Sequence, residues 1–228
     1  EGGRQAQRGE LDKSITEYRS AIQLFPQYAE AHFSLGLSLR TKGDMEGAIK
    51  EFRAAIRSRP QYADAHYSLA LALKETRNNE EAIAEYRTAI AQRPDFAEAH
   101  NNLGNMFFSK GDRAGAIAEY RKAIELSPNL VEPHLALGAA LHAQGKFDAA
   151  ETEYRTALKL KADDPEIRMR LGFLLVSKRD YRGAIEEYRA ALTARPQDAG
   201  AHFNLALALQ GMQDLKAAGK DAAYLPDV

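Results

Sequence analysis

Five of the eight prolines, Pro26, Pro60, Pro94, Pro128 and Pro196, stand on a single 34-residue phase, and Ala162 takes the one step that lacks a proline. A second string keeps that phase. It begins Glu17-Tyr18-Arg19-Ser20-Ala21-Ile22 and returns at Glu51, Glu85, Glu119, Glu153 and Glu187. A third, His32-x-x-Leu35-Gly36-x-x-Leu39, recurs at His66, His100, His134 and His202, with Arg168 in the remaining slot. Three strings locked to one period define a tandem array, in which a repeat buries its apolar face only by stacking on its neighbours. The 228 residues therefore divide into five full repeats with a cut one at each end, rather than one or two ordinary domains.

Within a repeat the apolar spacing is helical. His32, Leu35, Gly36 and Leu39 form one stripe, and Ala48, Phe52, Ala55 and Ile56 form a second. Gly43-Asp44 between them supplies a helix-ending glycine and a capping aspartate, as does Gly111-Asp112; Arg77-Asn78 and Arg179-Asp180 keep only the cap. Pro60 closes the second helix because it cannot extend the hydrogen-bond ladder. Each repeat is thus predicted to be a helix–turn–helix with two helices of about 13 residues, roughly 20 Å long. Small residues share two phases: Gly36, Ala70, Gly104, Gly138, Gly172 and Ala206, and Ala48, Ala82, Ala116, Ala150, Ala184 and Ala218. Side chains of at most one methyl let paired helices approach to the short end of the ~8–10 Å interaxial range.

The order His–Leu–Gly–Leu, then Ala–aromatic–Ala, then Pro at 34-residue spacing resembles the tetratricopeptide repeat, over essentially the whole chain. The usual first-helix Trp or Tyr of that family is His or Arg here. The expected fold is all-α, a right-handed superhelical solenoid of antiparallel helix pairs. Residues 1–28 are expected to hold the end of one first helix and a complete second helix. Full repeats follow at 29–62, 63–96, 97–130, 131–164 and 165–198. Residues 199–228 give a sixth first helix and a degenerate tail or capping helix, where Gly219, Ala222 and Pro226 replace the expected apolar and aromatic residues. Glu1 falls mid-helix by phase, so the chain is expected to be a piece of a longer protein.

The resemblance implies a concave groove lined by the first helices. Carried over residue by residue, its candidate lining is Phe33, Leu37, Arg40, Tyr67, Lys74, Asn101, Asn105, Phe108, Leu135, His142, Met169 and Phe173. Asn101 and Asn105, four apart on one face, have amides that can donate to and accept from an extended peptide backbone; solvated helix surface is the alternative. Asn102 and Asn204 share another phase, interrupted by Ser34, Ser68, Ala136 and Arg170. The family's carboxylate clamp needs basic residues where Glu98 and Glu166 stand, which argues against a terminal-carboxylate ligand.

Other rows have plainer readings. Equivalent helices of adjacent repeats lie ~10 Å apart, whereas zinc ligands sit ~2 Å from their ion, so the histidine row is read as packing. His142, off that phase, is the one histidine open to a ligand role. The acidic row Glu30, Asp64, Glu98, Glu132 and Glu166 either stabilises helix N-termini or forms an acidic edge for Lys- or Arg-bearing ligands. The Glu–aromatic–Arg string reads as a buried aromatic flanked by solvated charges.

Catalytic constellations are missing: the sequence has no phosphate loop, H-E-x-x-H, nucleophile elbow or dinucleotide fingerprint. Without cysteine there is no disulfide or thiolate metal site, and cytoplasm and periplasm suit the chain equally. With 31 basic against 32 acidic residues, it lacks the cationic excess of a nucleic-acid binder. Its apolar runs are too short to span a bilayer. The expected function is a protein-interaction scaffold that takes an extended peptide or helix of a partner in its groove, with no enzymatic activity, cofactor or metal. Two alternatives stand beside it: a substrate-recruiting arm of a larger enzyme such as a glycosyltransferase, and a structural subunit of a larger complex.

Overall fold

The computed structural model describes residues 2–217, with side chains over residues 9–215. Among the described residues there are twelve helices and no strand: α1 (Gly2–Leu24), α2 (Ala29–Lys42), α3 (Met45–Ser58), α4 (Ala63–Glu75), α5 (Asn79–Gln92), α6 (Ala97–Ser109), α7 (Arg113–Leu126), α8 (Val131–Ala143), α9 (Phe147–Leu160), α10 (Pro165–Ser177), α11 (Tyr181–Ala194) and α12 (Ala199–Ala217). The ten inner helices have the length the period predicts. None of the described helices is long and apolar enough to cross a membrane.

The chain divides into two compact units, Glu1–Lys110 and Gly111–Val228. In the first, α2 packs on α3 and α4 on α5, and each pair also packs on its neighbours. Its core is Leu35, Leu39, Ala48, Phe52, Leu69, Leu73, Ala82 and Tyr86, all buried. In the second unit α8 pairs with α9, α10 with α11, and α11 with α12. Tyr154 and Tyr188 occupy the buried aromatic positions there.

The small-residue rows are seats for these rings. A Cβ added to Gly36 would lie 2.6 Å from Cε1 of Phe52; at Gly138 it would lie 2.7 Å from Tyr154 and at Gly172 2.5 Å from Tyr188. The alanines at 48, 82, 116, 150 and 184 have no exposed surface. Fully burying each aromatic contributes about 1.5–3 kcal/mol, which larger residues at the glycine positions would forfeit by holding the helices apart.

The turns follow the sequence closely. Gly43, Gly111 and Gly145 adopt positive φ, and so do Arg77 and Arg179 on the same phase. Asp44, Asp112 and Asp180 accept a hydrogen bond from the backbone N–H of Gly47, Gly115 and Gly183, each at 2.9 Å. Asn78 departs from its expected capping role: its side chain makes no cap bond to α5 and donates to the Thr76 hydroxyl.

The two end helices are longer than the inner ones. α1 is one unbroken helix through Gly9-Glu10, where the phase places the end of a first helix, a turn and a second helix. α12 likewise runs straight through Gln213-Asp214, the phase of Gly43-Asp44. Gly219, Ala222 and Pro226 lie outside the described residues.

Candidate functional site

His32, His66, His100 and His134 are buried, as expected of a packing row, whereas His202 is exposed, and the row also makes hydrogen bonds between helices and turns. His32 pairs through Nδ1 with Glu51 at 2.6 Å and through Nε2 with the Pro26 carbonyl at 3.0 Å. His134 repeats this with Glu153 at 2.6 Å and Pro128 at 3.0 Å, and His66 with Glu85 and Pro60. The glutamates of the Glu–aromatic–Arg string are therefore half-buried partners rather than the solvated charges expected. Hydrogen bonding to Glu85 holds the His66 pKa above its ordinary value, against the opposing effect of burial. Where proline gives way to Ala162 and histidine to Arg168, the guanidinium bridges Glu187 at 2.9 Å and Asp163 at 2.6 Å.

The acidic row is largely neutralised. Glu30 pairs with Arg59, Asp64 with Arg93 at 2.7 Å and Glu166 with Arg170 at 2.9 Å. The first two arginines also lie over Tyr62 and Phe96, at 4.8 and 3.5 Å from the ring centroids.

In the first unit most of the candidate groove residues are committed to packing. The Phe33 ring meets Phe52 and Tyr62, at centroid separations of 5.9 and 5.0 Å. Tyr67 meets Tyr86 and Phe96 at 5.9 and 4.6 Å, and its hydroxyl accepts from Asn102. Leu37 packs against the core and Arg40 is half-buried. Asn101 is only 8 % exposed, and its Oδ1 lacks a hydrogen-bond partner. It is thus not solvated surface. Asn105 is half-buried, while Lys74 and Phe108 are exposed.

The second unit gathers its candidates. Ala139, His142, Ala143, Met169 and Phe173 line a cleft of about 600 Å³ with Tyr154, Glu166, Arg170 and Asn204. Leu135 lies half-buried and outside this lining. Phe173 is 57 % exposed. The His142 ring stands 5.4 Å from Phe173 and 5.6 Å from Phe147, with Nε2 3.0 Å from the Ser177 hydroxyl. Burial lowers the His142 pKa, so the ring is neutral at neutral pH. Among the described residues no group of three His, Cys, Asp or Glu side chains is placed to hold a metal ion. Of the lining residues outside the candidate set, Tyr154 belongs to the periodic aromatic row, while Arg170 and Asn204 stand on the interrupted asparagine phase. Which face each row presents depends on how neighbouring helices cross.

Tetratricopeptide-repeat family models match residues 4–63 and, in four successive overlapping segments, 78–111, 104–145, 140–178 and 174–213. The chain belongs to the tetratricopeptide-repeat family. Such arrays are generally protein-interaction scaffolds, and this fold is typically non-enzymatic. No curated protein sequence matches the chain. Among solved tetratricopeptide-repeat arrays and other structures, MamA is 26% identical with a TM-score of 0.64, over 70% of this chain and 94% of that one. YrrB, described as a TPR protein with an unusual peptide-binding site, is 18% identical with a TM-score of 0.68, over 82% of this chain and 96% of its own. PilF of Pseudomonas aeruginosa is 24% identical with a TM-score of 0.69, over 83% and 91%.

Proposed function

We propose that this tetratricopeptide-repeat protein captures a segment of a partner protein in the cleft of its second unit. An apolar side chain of that segment enters between Met169 and Phe173, and Asn204 and Arg170 bond its backbone. The observation that carries this reading is Phe173, a large ring left 57 % exposed at the edge of a cleft instead of being packed. The neutral His142 ring extends the apolar wall. The Glu166–Arg170 pair at the cleft balances its own charge, so the ligand is chosen by shape and apolar surface more than by charge. In this reading Asn204 and Arg170 make the backbone contacts because both line the cleft. Lys74 and Phe108 are exposed on the first unit.

Peptides selected from a random display library on the intact chain provide the test. Losing the burial of an aromatic ring costs about 1.5–3 kcal/mol, so Phe173→Ala is expected to weaken a selected peptide by roughly 10- to 100-fold. Helicity should not change. Full affinity in the variant contradicts the assignment.

A further inference from the structure

The cleft of the second unit holds a titratable ring whose polar edge is left unused by the capture of a purely apolar side chain. His142 is half-buried on α8, with Phe147 of α9 and Phe173 of α10 beside it at ring-centroid distances of 5.6 and 5.4 Å. Its Nε2 lies 3.0 Å from the Ser177 hydroxyl oxygen. That hydroxyl donates its own hydrogen to the Phe173 carbonyl at 3.1 Å. A serine has one hydrogen to give, so toward His142 the Ser177 oxygen only accepts. The imidazole hydrogen therefore sits on Nε2.

The state of the other nitrogen follows. Burial holds the His142 pKa below its ordinary value, so the ring carries a single N–H at neutral pH. With that hydrogen on Nε2, Nδ1 keeps its lone pair. Among the described residues Nδ1 has no hydrogen-bond partner. The carboxylate in the cleft lining, Glu166, is already paired with Arg170 at 2.9 Å. A side chain that fills this cleft thus needs an apolar body against Met169 and Phe173 and one hydrogen for Nδ1. The indole of tryptophan has both, because its N–H donates and the ring accepts nothing. Phenylalanine or leucine would cover Nδ1 and leave it unpaired. Tyrosine would bring hydroxyl lone pairs that need a donor of their own.

We propose that His142 selects tryptophan as the anchor of the captured segment, with Nδ1 accepting the indole N–H while the indole ring packs on Met169 and Phe173. This selection rests on the capture of a partner segment in the cleft and adds which side chain is held there.

Peptides selected from a random display library on the intact chain are expected to share a tryptophan, and a set without one overturns the proposal. In a selected peptide, exchanging that tryptophan for benzothienylalanine keeps the shape and removes only the N–H. The wild-type chain should bind the exchanged peptide roughly 10-fold more weakly, the effect of leaving a buried acceptor unpaired. His142→Phe keeps a ring beside Phe147 and Phe173 but has no acceptor, so it should bind the two peptides equally. Equal binding of both by the wild-type chain overturns the proposal, and so does a preference that persists in His142→Phe. Both of these results leave the cleft itself in place as long as Phe173→Ala weakens the unexchanged peptide. Full affinity in Phe173→Ala removes the cleft reading and this selection with it.

Discussion

His66 carries the repeat's chemistry in one residue. Both its partners, the Glu85 carboxylate and the Pro60 carbonyl, are acceptors, and only an imidazolium donates from both nitrogens. Its pKa is raised in the folded protein, so its contribution is fully present below the unfolded value of about 6.5 and is lost as pH rises through the folded value. Glu85→Gln is expected to lower stability by about 1.5–3 kcal/mol at mildly acidic pH, where the charged hydrogen bond is intact. The difference should shrink on the alkaline side, as read from urea midpoints of both proteins across pH. A constant difference would show that Glu85 acts only through packing. The periodic histidine and glutamate rows are plain in the sequence, but their pairing is not. The partners lie 19 residues apart on different helices, and only the crossing of those helices brings them together.

At the scale of the element, capping and pairing divide the work. α3, α7 and α11 each begin with an aspartate cap, whereas α9 begins at Lys146 with no side-chain cap bond. Lys146→Asp is therefore expected to raise stability by about 1 kcal/mol and Asp180→Ala to lower it by a similar amount. A shift in urea midpoint at unchanged slope would check both. The inner helices were legible because stripe, cap and proline agree at most boundaries, and the period supplies those where the cap or the proline is missing, as at Lys146 and Ala162. The two end helices were not, because a turn needs more than its local residues. Arg77 and Arg179 accept positive φ, at a cost of about 1–2 kcal/mol, where a second helix with a buried aromatic follows to offset it. By phase, Ala222 stands where that aromatic would be after α12.

For the whole molecule, the period gave the fold and left the site partly open. Phe33, Tyr67 and Phe173 belong to the same groove-facing set, yet the first two are covered by Tyr62 and Phe96 while Phe173 stays exposed. Phe33 and Tyr67 share a phase that meets an aromatic 29 residues on, whereas Phe173 stands on the phase of Leu37, and which of these positions is covered depends on helix crossing that the sequence does not display. The central claim is that a partner segment lies in the second unit's cleft. A photo-reactive benzoylphenylalanine placed at Phe173, with a second variant carrying it at exposed Arg189 on α11, measures this directly. On illumination with a selected peptide, the account predicts cross-linking from position 173 and none from 189. Equal cross-linking from both, or cross-linking from 189 alone, would contradict it.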